Sequence, residues 1–329
     1  HSETRIYNSG SIKPGKTDHE IEGETVYWQD IGNINMAYND IYKIHYVTSF
    51  SRKNTSYSLT TNTEGNGDLN VDPQKDSYFL GEEVVLEAEP GSDTSMLGYW
   101  DFSDREDIKL NDMIKINILI DTNLTAVFGE RIFADDFTTD TGWELFNASP
   151  SVEESSIVDE KLEMRITDSK TNEEGEEVYI QSLAIPPMDS SATELPSSYL
   201  IKGDFKLVSS EGAYGIYLGM EAPENDTFKF YVLQINETSQ KFNIWTAGSQ
   251  EALASGDISE LIKPGEFNNI SIKRIDDQYS FYLNGQLLTS QKLDSSIIEM
   301  IAAENFSWKG MSLPATIRVD NVKLLDLPQ

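Results

Sequence analysis

The chain has 329 residues, 38% of them hydrophobic and 10% aromatic, a composition typical of folded rather than disordered protein. Its 56 Asp and Glu residues outnumber its 25 Lys and Arg residues and give a formal net charge of −31. Nucleic acid and anionic membrane surfaces are therefore poor partners, because both are bound through clustered Lys and Arg. The sequence contains no apolar run of about 18 residues, so we expect no membrane insertion.

The absence of cysteine excludes disulfide frameworks, cysteine nucleophiles and cysteine-based zinc sites. A secreted eukaryotic protein of this size more often carries disulfides, so we expect a bacterial protein that is secreted or displayed at the cell surface. The first residues do not form the apolar core of a signal peptide, which predicts that such a peptide has been removed or never existed.

Short strand signals separated by turn residues recur along the chain and predict an all-β fold. Three regions can be separated. Residues 1–56 form a β-rich N-terminal segment without a recognisable motif, and residues 57–130 form a second small module. Residues 131–329 have the size of one large antiparallel β-sandwich.

The module at 57–130 contains a strand with one buried face, because Val84, Leu86 and Ala88 alternate with glutamates. Trp100 is expected in the core, since so small a module needs a large aromatic residue there. The segments "YFLGEEVVLEAEP", "GYW" and "LTAVFG" resemble the bacterial surface repeats related to internalin-type B repeats. This resemblance implies a structural or adhesive spacer without catalysis.

The region 131–329 opens with "IFADDFTTDTGWELF" and closes with "ATIRVDNVKLLDL". Between them, "GAYGIYLGM", "FKFYVLQIN" and "KFNIWTAG" predict three adjacent strands of one sheet. Asn284-Gly285, between two alternating runs, predicts a hairpin with a type I′ turn. The region resembles the concanavalin A-like lectin and glucanase superfamily, which implies a laminin-G-like jelly-roll sandwich. Two segments, "DISELIKPG" and "SIIEMIAAENF", predict short helices.

Catalytic members of that superfamily place acids in a Glu-x-Asp-x-(x)-Glu pattern on one strand, where alternation directs them to the same face. We find no such spacing in the predicted strands. The three histidines, at positions 1, 19 and 45, precede the sandwich, so a Ser-His-Asp site within it is excluded. These observations favour a protein that is not an enzyme, although carboxylates from distant strands could still converge.

Sugar-binding proteins stack aromatic rings on sugars and read hydroxyl groups with amides and acids. The candidate ligand-binding residues lie on the three adjacent strands and are Tyr214, Tyr217, Tyr231, Asn243 and Trp245. For Trp245 the alternative is packing under a loop or against a neighbouring domain.

The resemblance also implies a structural Ca²⁺ near the point where the first and last strands pair. Calcium prefers six to eight oxygen ligands. Four residues could supply them: Asp135, Asp136, Asp320 and Asn321. The alternative is that Asp136 and Asp320 cap turns at strand edges.

The most consistent function is non-catalytic binding of a polysaccharide or cell-surface glycan, in adhesion or substrate capture. Two alternatives stay open, a glycoside hydrolase or polysaccharide-degrading accessory protein, and a purely structural surface module.

Overall fold

The computed structural model describes residues 56–146, 152–172, 174–187, 195–219, 229–247, 249–298 and 300–329, together with the backbone of two strands at 18–21 and 24–27. Within these residues the fold is antiparallel β, and the one helical segment is a 3₁₀ turn at Ser295–Ile297. No helix in the described part of the chain is long and apolar enough to cross a membrane. The prediction of an all-β jelly-roll sandwich is confirmed.

The first ten strands precede the predicted sandwich and are β1 (Asp18–Ile21), β2 (Glu24–Tyr27), β3 (Ser56–Tyr57), β4 (Leu59–Glu64), β5 (Gly67–Asp72), β6 (Tyr78–Phe79), β7 (Glu82–Pro90), β8 (Ser95–Phe102), β9 (Ile108–Lys109) and β10 (Met113–Ile118). The strands that follow are β11 (Thr122–Asp135), β12 (Glu144–Phe146), β13 (Glu153–Ile157), β14 (Leu162–Ile166), β15 (Lys170–Thr171), β16 (Glu177–Val178), β17 (Ile180–Ile185), β18 (Ser198–Leu207), β19 (Ala213–Gly219), β20 (Phe230–Asn236), β21 (Lys241–Thr246), β22 (Ala254–Asp257), β23 (Asn268–Ile275), β24 (Gln278–Leu283), β25 (Gln286–Lys292), β26 (Met300–Ser307) and β27 (Ala315–Asp326).

The chain divides into two compact units whose boundaries fall inside strands. The first unit comprises residues 1–61, 70–87 and 113–124, and the second comprises 62–69, 88–112 and 125–329. In the first unit, β10 pairs with β7 and β3 pairs with β6.

The second unit contains a sandwich of two antiparallel sheets. Its large sheet follows the order β25-β24-β23-β18-β27-β11-β8-β9, and β14 joins it by pairing with β27. The other sheet has seven strands in the order β12-β17-β26-β19-β20-β21-β22. Strands β19, β20 and β21 are neighbours, as predicted. The first and last strands of the predicted sandwich, β11 and β27, also pair, with Asp135 opposite Val322.

The core lies between these two sheets because side chains alternate along each strand. In β19, Tyr214, Ile216 and Leu218 point into the core and are fully or almost fully buried. They belong to the same apolar cluster as Phe205 and Ile317 of the large sheet. The remaining side chains of β19 point away from this core, so the seven-stranded sheet has a second face.

Two predictions for residues 57–130 are confirmed. Val84, Leu86 and Ala88 are buried on one face of β7. Trp100 is fully buried, and its indole Nε1 donates a hydrogen bond to the carbonyl oxygen of Asn111 at 2.8 Å. The domain boundaries at 56/57 and 130/131 stay a prediction, as does the likeness to internalin-type repeats. Strand β11 runs without a break past residue 130.

The predicted hairpin is confirmed, and the helix predicted in "SIIEMIAAENF" is wrong. Asn284 and Gly285 have φ values of 53° and 80°, the positive values that a type I′ turn requires, and they join β24 to β25. Residues 258–265 form a turn-rich connection in which the Ile262 N–H donates to the Ile258 carbonyl oxygen at 2.9 Å, the bond of a single helical turn. Residues 300–307 form β26, which pairs with β17 on one side and β19 on the other. Pairing on both sides outweighs the local preference of Ala, Glu and Met for helix.

The acidic turn after β11 is held by Asp135, which is buried. Its Oδ1 accepts a hydrogen bond from the Phe137 backbone N–H at 2.8 Å, and its Oδ2 accepts one from Trp143 Nε1 at 2.7 Å. The Thr141 hydroxyl also donates to Oδ2. The Trp143 ring packs against Phe133 and Phe137, with centroids 5.7 and 5.4 Å away. Asp135 therefore fixes an aromatic cluster at one end of the core.

We expect Asp135→Ala to lower the free energy of unfolding by about 2–4 kcal/mol, because it leaves the Trp143 and Phe137 N–H groups buried without an acceptor. Asp136→Ala is the matched control, since Asp136 is exposed and caps only a local turn; its loss should stay below about 1 kcal/mol. Urea denaturation followed by tryptophan fluorescence measures both. Equal losses for the two variants would contradict this role of Asp135.

Candidate functional site

The candidate site is the outer face of the seven-stranded sheet, by which we mean the side chains that point away from the core between the sheets. Directly opposite residues on paired antiparallel strands share a face. The register therefore places Glu304, Gly215, Gln234, Asn243 and Ser255 in one row across five strands. Apart from the glycine, every residue of this row carries a polar side chain.

An apolar and aromatic row runs beside the polar one. It contains Ala302, Tyr217, Val232 and Trp245, in that order across the sheet. Phe230 lies next to it, with its ring centroid 5.3 Å from that of Tyr217. Trp245 and Phe230 are partly exposed, so this row offers aromatic surface to solvent.

A second aromatic pair lies on the other side of the polar row. Tyr179 stacks on Phe306, with ring centroids 5.7 Å apart and planes inclined by 28°. Tyr179 is 67% exposed, the largest exposed fraction among the exposed large hydrophobic side chains of the described residues. Gln181 is paired with Phe306 across the strands and is partly exposed. Aromatic surface thus flanks the amides on both sides.

The polar row is centred on Glu304, whose side chain is completely buried. Its Oε1 accepts a hydrogen bond from Gln181 Nε2 at 2.6 Å, and its Oε2 accepts one from Gln234 Nε2 at 3.4 Å. Burial raises the pKa of Glu304 from 4.5 to about 7, and the two glutamine bonds lower it only in part. Glu304 therefore changes charge in the neutral range.

Gly215 separates Glu304 from Gln234 in the row. A Cβ atom at this position would lie 1.8 Å from the carbonyl oxygen of Leu233, so no side chain fits there. The missing side chain leaves the space across which the Gln234 amide approaches Glu304 from the next strand but one.

The structure separates the five predicted ligand-binding residues into two groups. Tyr217, Asn243 and Trp245 lie on the outer face, although Tyr217 is only 3% exposed. Tyr214 points into the core, where its ring stacks on Phe205 and its hydroxyl donates to Glu237 Oε1 at 2.8 Å. Tyr231 packs against the same core. Tyr214 and Tyr231 thus lie on the core side of the sheet, so they are left out of the candidate site on its outer face.

Five outer-face residues were not predicted from the sequence: Tyr179, Gln181, Gln234, Glu304 and Phe306. Of these, only Gln234 could have been found from the sequence, because the alternation in "FKFYVLQIN" places it on the same face of the strand as Phe230. Glu304 and Phe306 were hidden by the interpretation of their segment as a helix.

The four residues predicted to bind calcium all form polar contacts with other protein groups. Besides the bonds of Asp135, Asp136 accepts hydrogen bonds from the backbone and hydroxyl of Thr138 at 3.1 and 2.8 Å. Asp320 forms an ion pair with Lys161 at 2.9 Å. Asn321 Nδ2 donates to Asp204 Oδ2 at 3.0 Å.

The carboxylates of this set already accept hydrogen bonds or an ion pair from Trp143, Thr138 and Lys161. Within the described residues, no group of three or more His, Cys, Asp or Glu side chains is arranged to hold a metal ion. Calcium binding stays a prediction, which melting in CaCl₂ and in EDTA would test.

No family model matches the chain, and no curated protein matches its sequence. Among solved structures, it is similar to carbohydrate-binding module CBM66 from Bacillus subtilis, at 14% identity and a TM-score of 0.39, over 56% of this chain and 96% of that one. It is also similar to an endo-β-1,3-glucanase from Pyrococcus furiosus, at 12% identity and a TM-score of 0.46, over 61% and 95%. A third similar structure is a Bacillus subtilis protein of unknown function with a galectin-like fold, at 10% identity and a TM-score of 0.42, over 61% and 98%. The fold of the present chain is assigned from its own strand pairing.

The raised pKa of Glu304 predicts a pH-dependent stability. The folded state keeps the Glu304 proton up to about pH 7, whereas the unfolded state loses it near 4.5. The folded state binds more protons in this window, so stability falls as pH rises through it, by roughly 3 kcal/mol in total. Glu304→Gln should remove this fall, as measured by urea denaturation from pH 4.5 to 8.

Glu106→Gln is the control, because it makes the same substitution at an exposed loop position. It should keep the wild-type dependence on pH. Parallel pH profiles for wild type and Glu304→Gln would contradict the assignment of this titration to Glu304.

Proposed function

We propose that this chain is a non-catalytic glycan-binding protein whose sugar site is the outer face of the seven-stranded sheet. The observation that carries the proposal is the arrangement of side chains there. The polar row, with the partly exposed amide of Asn243, lies in the middle of the face, and aromatic rings lie on both sides of it. A second partly exposed amide, that of Gln181, lies beside Phe306.

This arrangement matches the chemistry of a sugar ring. Trp245, Phe230 and Tyr179 offer flat apolar surface for the C–H faces of pyranose rings. Asn243 and Gln181 offer both donors and acceptors, which suit hydroxyl groups that also donate and accept. An extended oligosaccharide that runs obliquely along the strands would cross the aromatic rows and the polar row together.

Binding is favoured over hydrolysis by the neighbours of Glu304. A retaining glycosidase needs two carboxyl groups about 5–5.5 Å apart. The residues next to Glu304 on this face of its own and the adjacent strands are Leu183, Gly215, Ala302 and Phe306. None of these described neighbours carries a second acid. Glu304 is also fully buried, so it cannot touch a substrate in this arrangement.

Glycan binding without catalysis is sufficient for adhesion and for substrate capture, so the proposed site is consistent with both expected roles. Location at the bacterial surface stays part of the proposal. Fractionation of the producing cells would test it, because a cytoplasmic protein would not meet an extracellular glycan.

A glycan array probed with the whole chain should identify at least one bound glycan. Trp245→Ala and Asn243→Ala should each weaken that binding by about fivefold or more, since truncation of a central contact costs more than about 1 kcal/mol. Tyr179→Ala should weaken it without loss of stability, because its side chain is mostly exposed. Isothermal titration calorimetry measures the affinities.

Phe79→Ala is the matched control for Tyr179→Ala. Phe79 is a 54% exposed aromatic residue of the first unit, and its removal should leave affinity unchanged. Absence of any bound glycan, or unchanged affinity in both Trp245→Ala and Asn243→Ala, would refute the proposed site.

A further inference from the structure

The centre of the outer face holds a negative charge that no cation neutralises. Above its pKa, Glu304 is ionised and fully buried, and its hydrogen-bond partners, Gln181 and Gln234, are neutral. Among the described strand residues with outward-pointing side chains in this sheet, Lys241 is the one cation, and its cross-strand partner is Asp257. The middle of the face is therefore electrically negative.

The surroundings of Glu304 do not cancel this charge. Strand β17 faces it with Gln181 and Leu183, and β20 faces it with Gln234. Strand β19 contributes Gly215 and Tyr217. Tyr217 is the other titratable group facing Glu304 on these strands, and burial, with a smaller contribution from the Glu304 charge, raises its pKa to about 12, so it stays neutral at physiological pH.

A carboxylate or sulfate on a bound sugar would lie above this buried charge. At roughly 7 Å and an effective dielectric constant of about 20, like charges repel strongly enough to weaken binding by tenfold or more. A neutral sugar hydroxyl meets no such repulsion. The outer face offers no described basic cluster of the kind that recognises anionic groups.

We propose that the outer face takes uncharged sugars and that Glu304 is the residue that excludes anionic ones. This inference rests on the glycan binding proposed above and adds the class of sugar. It makes Glu304 a specificity residue that acts through its charge on ligands it does not touch.

The test uses matched pairs of oligosaccharides that differ only in charge. The probes are hexasaccharides of β-1,3-glucan, β-1,4-glucan, α-1,4-glucan and β-1,4-mannan, plus any further neutral hexose oligosaccharide bound on the array. Each is compared with the form whose C6 hydroxyl groups have been oxidised to carboxylates. At pH 8 the wild type should bind the neutral form at least about tenfold more tightly than the oxidised form.

Glu304→Gln should reduce the ratio of the two affinities at least threefold, whatever it does to the affinity for the neutral form alone, and Glu106→Gln should leave the ratio unchanged. A second measurement needs no variant. At pH 5 the wild type should discriminate less than at pH 8, because Glu304 is then protonated while a sugar carboxylate stays ionised.

The outcomes separate the two proposals. No binding of any glycan refutes the proposed function and this inference with it. Binding of oxidised forms as tightly as neutral ones refutes the inference and leaves glycan binding intact. An equal preference in Glu304→Gln and wild type at pH 8, or in the wild type at pH 5 and 8, assigns the discrimination to shape and also refutes the inference.

Discussion

The burial of the Glu304 carboxyl group without a cation is the constraint that organises the outer face. A carboxylate out of water is costly unless its oxygens are hydrogen-bonded. Here two glutamines on different strands supply those bonds, and Gly215 leaves the gap that the second one crosses. The raised pKa shows that the compensation is incomplete. An apolar side chain would satisfy folding better at this buried position, so an acid there points to function.

Other buried polar groups of the second unit serve the fold. Lys202 is almost fully buried, and its Nζ donates to the carbonyl oxygens of Leu97 and Gly98 at 3.2 and 3.0 Å. Asp135 joins a turn to an indole. Each of these bonds holds one segment of backbone or one core side chain in place. The hydrogen bonds of Glu304 instead orient two side-chain amides on the outer face, which is partly exposed. This network therefore links a buried carboxyl group to a surface of the protein.

Local sequence patterns predicted much of the fold but only part of the candidate site. Alternation predicted the buried face of β7, and Asn284-Gly285 predicted the hairpin because few residue pairs accept two positive φ angles. Spacing also separates Tyr214 from Tyr217, since residues three apart on a strand point to opposite faces. The sequence of this one strand does not show which of the two tyrosines points into the core, because both sides of β19 are apolar.

The largest error concerned β26 and shows where local reasoning stops. The segment "SIIEMIAAENF" is rich in residues that favour helices, and it becomes a strand because β17 and β19 pair with it on both sides. In a helix, Glu304 and Asn305 would be two polar residues on a solvated surface. In the strand they point to opposite faces: Asn305 joins the two sheets through the carbonyl oxygens of Met164 and Ala315, and Glu304 lies at the centre of the candidate site.

The same alternation argues against chemistry at this face. Two acids on one strand act together only when their residue numbers differ by an even number, so that both project to one side. On β26 the outward positions around Glu304 are Ala302 and Phe306. Strand β19 offers a glycine opposite it. A lone buried acid beside amides can bias which ligand stays bound, whereas cleavage of a glycosidic bond by retention needs a second carboxyl group. The pleat of the sheet, as much as the identity of any residue, therefore favours recognition over hydrolysis.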